Sequence, residues 1–496
     1  MGELAIYTWV FFAVFLAILI WLAIRGMAKT KTAIDFSTAP RSYGPAVIGI
    51  ALMATACSAA ATMGNPGLVD ANGWPALWYA MGGYMGIAMA WASSAFVLAR
   101  IGKTTGAKSL PDFMGIRFNS PVLRVATALA CIMMIYYIAG QFAGIGWVMA
   151  NAAGLPYIWG VVVGALIITA YIVVGGTHAD ILNCFIQGLV MMVLAVLVCV
   201  PVFMQLGGLD AIDRGLTAMD PRLSSNIVFR DPMFGPFTGP AVFISLGLFG
   251  LTPQLSKLWL ALDDERHVRH ALLWGFFGLA FMATLMWIGG LGGKLLFPNV
   301  APDQATVNIL IKSWHPALAA LGMVGILSAV MSTAAGLFLV VAIAIAVDIY
   351  RDTIVPRMQN PPSAAVLDSR VLLMQRILIP LVTFSGFLLA QNPPPFLTAL
   401  MWVGIGGFTG PIIPTMVIGC LWRGVTRTAA EVSVVSGFVL YLVLQFGLGV
   451  GMGNPFFSVP WACAGICTIV TTVLTIGLSF VTAPMEREHL ERVFAR

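Results

Sequence analysis

The chain has 496 residues, of which 59% are hydrophobic and only 9% charged, with a mean hydropathy of +0.94. Soluble globular domains carry about 25% charged residues, so this composition excludes a soluble protein, and repeated apolar runs of about 20 residues read as transmembrane helices. The runs do not alternate, which excludes a β-barrel, and the net charge of +6 does not mark a nucleic-acid partner, because Lys and Arg gather in short connections between the runs.

The fold expected is therefore an all-α polytopic membrane protein. Thirteen spans are predicted, near 5–25, 44–69, 75–99, 119–150, 157–176, 180–204, 237–261, 269–296, 314–350, 371–391, 395–421, 428–450 and 458–482. The first reads as a retained helix rather than a cleaved leader: residues 1–4 lack a basic residue, the run Ile6–Ile24 is long, and Arg25, Lys29 and Lys31 follow it. With the N-terminus outside, only Arg214, Arg222, Arg230, Lys294 and Lys312 of the 26 basic residues fall outside. The rest, among them Arg100, Lys103, Arg117, Lys257, Arg266 and Arg351, fall on the cytoplasmic side, as the positive-inside rule requires. Residues 205–236 form the largest external loop, and the tail from Met485 reads as a short amphipathic cytoplasmic helix with no obligate protein partner evident. Seven cysteines (57, 131, 184, 199, 420, 463, 467) lie in or beside apolar runs and give neither a disulfide framework nor a zinc spacing.

Two spans are interrupted. The second reads MATACSAAATMGNPG (53–67), where small residues give way to Gly64, Asn65, Pro66 and Gly67; the seventh reads SLGLFGLTPQLSK (245–257), with Gly247, Gly250 and Pro253. Such residues loosen a helix and remove a donor. Interrupted helices at matching places, five spans apart, point to a transporter built from two inverted repeats.

The acidic residues lie in loops or at helix ends, Asp70, Asp180, Asp348 and Glu431 coming closest to a span, and the histidines (178, 267, 270, 315, 489) are equally peripheral. Proton relays in membranes use buried Asp, Glu or His, so a proton-coupled mechanism lacks its obvious titrating group. Na⁺ needs none, since hydroxyls and freed backbone carbonyls can hold it. The ninth span supplies hydroxyls in SAVMSTAAG (328–336): Ser332 and Thr333 are adjacent, and the Ala329 carbonyl lies one turn earlier on the same face as the Ser332 hydroxyl. The broken stretch 53–67 would supply further carbonyls. The alternative is that these hydroxyls only back-bond to the preceding turn or join helices.

Five stretches in order resemble the sodium:solute symporter family: CSAAATMGNPG, YYIAGQFAG (136–144), GGTHADILNCFIQG (175–188), AVMST (329–333) and PTMVIGCLWRGVTRTAAE (414–431). The resemblance covers nearly the whole chain. It implies the inverted-repeat fold of the amino-acid transporter LeuT, with a five-plus-five helix core, one leading helix and two trailing ones. The chain then divides into a leading helix and loop (1–43), a first repeat (44–205), an external loop (206–236), a second repeat (237–421), two trailing helices (422–484) and a cytoplasmic tail (485–496). The resemblance also implies a sodium site made by the carbonyls of Ala54, Cys57 and Ala329 and the hydroxyls of Ser332 and Thr333. One departure stands out. Relatives often carry Asp where this chain has Cys184, near the ion exit path, which puts a second sodium site in doubt. Asp180, one turn nearer the cytoplasm, either substitutes in part or serves as a helix N-cap; Lys257 stands where relatives often have Arg.

A solute is expected near the midplane beside the breaks, lined by Ala61, Thr62, Met63, Gln141, Phe249, Thr252, Gln254 and Trp402. The helix start after Gly64 would favour a carboxylate by its positive dipole end. The function expected is Na⁺-coupled symport of a small monocarboxylate such as pantothenate, or a zwitterion such as proline, across a bacterial inner membrane. Alternatives are an uncoupled or proton-coupled facilitator on the same fold, or a sensor acting through a separate partner. An enzyme is not expected: there is no H-E-x-x-H, no G-x-S-x-G and no buried carboxylate pair.

Overall fold

In hydrocarbon every backbone donor and acceptor must be paired within the chain, and the sequence meets this with helices throughout. The computed structural model describes residues 2–29, 36, 43–225, 247–260, 262, 265–392 and 397–494, with no strand among them. Lys31, Arg230, the first half of the expected seventh span and Ser245–Leu246 of its motif lie outside the described residues.

The long helices are α1 (Glu3–Lys29), α2 (Pro45–Ala56), α3 (Asn65–Asn72), α4 (Leu77–Thr105), α5 (Leu110–Arg117), α6 (Pro121–Ile132), α7 (Met134–Ala152) and α8 (Tyr157–Leu206). They continue with α9 (Leu209–Met219), α10 (Pro253–Leu260), α11 (Glu265–Leu296), α12 (Ala305–Ser313), α13 (Pro316–Ile343), α14 (Ala364–Ala390), α15 (Leu397–Leu421), α16 (Arg427–Leu442), α17 (Pro460–Val481) and α18 (Arg487–Val493). Among the described residues, 10 helices are long and apolar enough to cross a membrane, or 11 if the bent pair formed by α2 and the helix that follows it is one span. The stretch Tyr157–Val173, expected as a span, is a shorter apolar helix. It is the first arm of α8, which turns at Gly176 (φ 55°, ψ −148°). Only glycine suits that turn, since a Cβ would lie 2.7 Å from the Phe36 ring and 2.9 Å from its carbonyl.

Apolar side chains sort the helices. α13 is buried on nearly every side, packed against both arms of α8, against α7 and against α1. α1 and α14 instead turn Ile6, Val10, Val14, Leu373, Ile377 and Phe384 outward, as helices facing lipid do. α2 packs on α11 and α8, and α15 on α7, α16 and α17. The broken α2 therefore lies within reach of the most enclosed helix in the bundle.

At the end of the bundle where α5, α15 and the tail helix meet, Arg117 closes the packing. Its fully buried guanidinium donates to the Gly419 carbonyl at 2.9 Å and the Trp422 carbonyl at 3.3 Å, and stacks over Phe118 and Phe494 at 4.7 and 4.9 Å. This fastens the end of α15 and the tail helix α18 to α5. Burial lowers the Arg117 guanidinium to about 10, so it stays charged at neutral pH.

Candidate functional site

The first break does not fall where Gly64, Asn65, Pro66 and Gly67 suggest. α2 ends at Cys57 (φ −84°, ψ 94°), and the chain turns by 62° before it resumes as a π-turn at Ala60–Gly64 that runs into α3. The π-turn explains how Pro66 is accommodated. Asn65 donates to the Ala60 carbonyl five residues back, so the ladder has already shifted where proline would interrupt it. The helix start that presents its positive end therefore lies at 59–61, not after Gly64. Its first amides have partners: Ala59 N–H donates to the Gln141 side-chain carbonyl (3.0 Å) and Ala60 N–H to the Ser58 hydroxyl (3.0 Å). Gln141, fully buried on α7, thus supports the broken backbone, and its amide nitrogen reaches the Met401 sulfur at 3.6 Å.

Two hydroxyls of α13 cross to the last carbonyls of α2. The Ser332 hydroxyl lies 2.8 Å from the Ala54 carbonyl and 2.9 Å from that of Ala329, and its single proton serves one at a time. The Thr333 hydroxyl donates to the Thr55 carbonyl at 2.9 Å. Adjacent residues on one helix so meet adjacent carbonyls on the other, all of them fully or almost fully buried. The Thr55 carbonyl is a partner that nothing local in the sequence marked. Cys57 caps the end of α2, three residues beyond Ala54. Ser328, one turn earlier, donates to the Val324 carbonyl of its own helix at 2.8 Å. It is a back-bonded serine, and only Ser332 and Thr333 reach across.

The second break falls where Pro253 requires. Residues Leu248–Leu251 form a 3₁₀ turn, Thr252 is extended (φ −58°, ψ 156°), and α10 starts at Pro253. The Thr252 hydroxyl donates to the Phe249 carbonyl at 2.7 Å, and the Trp91 indole on α4 donates to the Gly250 carbonyl at 2.7 Å. Each break is thus held by one side chain from an unbroken neighbour: Gln141 at the first, Trp91 at the second. Nothing local in the sequence marked Trp91. Phe249 lies edge-on to Tyr137 at 6.4 Å. Gln254 is fully buried with neither amide atom hydrogen-bonded. Thr62 back-bonds to the Ser58 carbonyl (3.2 Å), Met63 is buried and Ala61 partly exposed. Trp402 packs edge-on against Trp461 at 6.5 Å, on the side of the trailing helices, whereas Met401 is the α15 residue that reaches Gln141.

Comparison with known proteins fits this geometry. The sodium:solute symporter family model matches residues 36–437. The chain belongs to the sodium:solute symporter family. Curated relatives include the sodium/pantothenate symporter of Escherichia coli strain K12, 26% identical over 449 residues covering 87% of this chain and 89% of that protein. The high-affinity proline transporter PutP of Bacillus subtilis is 23% identical over 84% of this chain and 87% of its own. A sodium/proline symporter of Staphylococcus aureus is 25% identical over 88% and 85%. In fold, the chain is similar to a Na⁺-coupled sialic acid symporter in its substrate-bound outward-open state, with a TM-score of 0.79 at 15% identity, covering 98% of this chain and 100% of that one. The protein is a membrane transporter, not an enzyme, and its family and relatives point to Na⁺ as the coupling ion.

Beside the hydroxyl pair this transporter buries a charge. Asp180 is not an N-cap: α8 has already turned at Gly176, and the carboxylate is ion-paired to the Lys257 ammonium of α10 at 2.6 Å, both groups buried. The Cys184 thiol links that pair to the site. It lies 3.7 Å from the Asp180 carboxylate, 3.6 Å from the Thr55 hydroxyl and 3.6 Å from the Ser332 carbonyl.

The stretch after the first break is closed over by α15 and the segment before α12. Asn65 accepts from the Thr398 hydroxyl at 3.2 Å, and the Asp303 carboxylate accepts from the Leu397 amide at 2.7 Å. A Cβ on Gly67 would lie 2.4 Å from the other Asp303 oxygen, so α3, α15 and the segment before α12 meet at a distance only glycine permits. Burial raises the Asp303 carboxyl to about 8, against the Leu397 amide and with help from the nearby Asp70 carboxylate.

Proposed function

We propose that this protein is a Na⁺-coupled symporter of a small organic acid or zwitterion, working by alternating access in a bacterial inner membrane, N-terminus outside and C-terminus cytoplasmic. The reading keeps thirteen spans and a five-plus-five inverted-repeat core between one leading and two trailing helices. The observation that carries it is the crossing of the Ser332 and Thr333 hydroxyls onto the Ala54 and Thr55 carbonyls. Na⁺ would sit there, held by the Ser332 and Thr333 hydroxyls and by the carbonyls of Ala54, Cys57 and Ala329. Neutral oxygen donors suit a hard monovalent cation.

The solute would lie against both breaks, among Ala61, Thr62, Met63, Gln141, Phe249, Thr252 and Gln254, with Trp402 behind them. The helix restarting at 59 turns its positive end toward that space. Pantothenate and proline, named for the relatives, both carry a carboxylate that such an end would favour. Gln254, buried with an unpaired amide, is the group here best able to add a hydrogen bond to a solute.

The test is uptake into proteoliposomes of radiolabelled pantothenate, proline and a panel of other monocarboxylates and amino acids, with an inward Na⁺ gradient and again with K⁺ in its place. Accumulation of one solute above equilibrium only with Na⁺ is the expected result. Uptake that merely equilibrates and ignores Na⁺ would make the protein a facilitator on a symporter's fold; accumulation driven by a proton gradient alone would make it a proton symporter.

A further inference from the structure

The buried Asp180–Lys257 pair has no role in the site as described so far, and its position gives it one. Lys257 Nζ lies 2.6 Å from one Asp180 oxygen, and the other oxygen contacts Cys184, which in turn contacts the Ser332 carbonyl and the Thr55 hydroxyl. The ammonium also lies against the α13 face that carries Ser332: a Cβ on Gly336, one helical turn further along, would sit 3.5 Å from Nζ. Both elements that build the hydroxyl–carbonyl site, α2 and α13, therefore meet α8 at this pair.

A carboxylate enclosed in this way must have a positive partner, because an unpaired buried charge is far too costly. Two kinds of cation can serve: one delivered by solvent, or one tethered to the chain. Asp180 is 1% exposed and Lys257 8%, so the tethered ammonium already fills that role and the pair is neutral as a unit. What remains facing the hydroxyl site is a thiol, a weak donor and a poor ligand for a hard cation. The same region, however, carries oxygens that would serve a hard cation well: the Thr55 hydroxyl, which contacts the Cys184 thiol, and, one position before Cys184, the buried Asn183 amide, which has no hydrogen-bond partner.

We propose that Lys257 is a resident cation that sets the ion count of the transporter. Its ammonium holds Asp180 in place of a second Na⁺, so each cycle carries one Na⁺, at the Ser332–Thr333 site. Neutralising Lys257 turns Asp180 and its neighbours into a second Na⁺ site. This inference rests on the sodium reading above and specifies its stoichiometry.

Equilibrium binding of ²²Na⁺ to the purified full-length protein in nanodiscs tests it without knowledge of the solute. The wild type should bind one Na⁺ per chain with a Hill coefficient of one. Lys257→Gln should bind two, and Lys257→Gln with Asp180→Asn should return to one. Lys257→Arg, which keeps the charge, should stay at one. Two sites in the wild type would overturn the inference while leaving sodium coupling intact, and so would a folded Lys257→Gln protein that still binds only one. Should Lys257→Gln fail to fold, the wild-type and Lys257→Arg counts still decide between one site and two. Absence of saturable ²²Na⁺ binding to the wild type would overturn the sodium reading itself, and the inference with it.

Discussion

Ser332→Ala and Ser328→Ala remove the same hydroxyl from the same helix one turn apart, and the structure assigns them opposite outcomes. Ser332 reaches the Ala54 carbonyl on α2 at 2.8 Å, whereas Ser328 is spent on the Val324 carbonyl of its own helix at 2.8 Å. A buried oxygen ligand to a charged group contributes about 1.5–3 kcal/mol. Against this stands the hydroxyl's own bond to Ala54, of about 1 kcal/mol, which an incoming ion must replace and which the alanine variant no longer has. The net loss is about 0.5–2 kcal/mol, and at 1.4 kcal/mol per decade the half-saturating Na⁺ concentration should rise about 2- to 30-fold. Ser328→Ala should leave it unchanged within about twofold, since a back-bonded serine contributes little in a helix interior.

The assay is initial uptake of the transported solute into proteoliposomes across a Na⁺ series at constant ionic strength, with thermal unfolding of each variant measured alongside. Equal shifts in the two variants, or a Ser332→Ala protein with wild-type Na⁺ dependence, would refute the site. In either case the crossing hydroxyl would be packing glue rather than an ion ligand.

Three further outcomes follow from the closed contacts. In water the Asp303 carboxyl titrates near ~4, but closure raises it to about 8, so closing takes up a proton between these values. External acidification across that window should favour the closed arrangement by up to about tenfold per pH unit, the advantage disappearing as pH rises through 8; Asp303→Asn should flatten the external pH dependence of transport, and an unchanged slope would reject the mechanism. Gly67→Ala places a Cβ 2.4 Å from the Asp303 carboxylate and 2.9 Å from its backbone. At about 1–3 kcal/mol for such overpacking, it should shift the population about 5- to 150-fold toward the open side, seen as faster labelling of Thr398→Cys by an impermeant maleimide, and no change in labelling would count against the contact. Arg117→Met strands the buried Gly419 carbonyl and leaves that of Trp422 only the long contact from the Val425 amide at 3.5 Å, costing about 1–3 kcal/mol for the stranded group; the thermal midpoint should fall by about 2 °C or more, and an unshifted midpoint would show the tail clamp to be dispensable.

What the sequence made legible depended on whether a signal was local. Pro253 has no amide hydrogen and restrains the residue before it, so the second break could be placed within a residue or two. At the first break the same reasoning chose Gly64–Gly67 and was wrong by about two turns. Those glycines answer to distant partners, Thr398 and Asp303, through close packing. The real break at Cys57–Ser58 is stabilised by Gln141 on another helix. Asp180 was misjudged for a related reason. Its place near a helix start suggested a cap, but the decisive partner, Lys257, lies 77 residues away. Ser332 and Thr333 were recoverable because hydroxyls in so apolar a run need partners, and the broken helix opposite ended in carbonyls that they could meet.

The choice of hydroxyls over carboxylates at the proposed ion site has a physical consequence for the return half of the cycle. A carboxylate is acceptor-only; once the ion left, it would remain a buried, uncompensated charge, as Asp180 would without Lys257. A hydroxyl is donor and acceptor both. With Na⁺ present, Ser332 and Thr333 would offer lone pairs to the ion, and without it they donate to the Ala54 and Thr55 carbonyls at 2.8 and 2.9 Å. The same contact between α2 and α13 can therefore be made in two ways, by coordination or by hydrogen bonding, and neither leaves a polar group stranded. A transporter must cross the membrane midplane both loaded and unloaded, and a site built this way is satisfied in both passages. Replacing Thr333 with Val keeps the shape and deletes only this dual capacity. It should slow the ion-free return, read as lost net uptake, more than it slows solute exchange in saturating Na⁺ on both sides; equal losses in the two assays would place the hydroxyl's role elsewhere in the cycle.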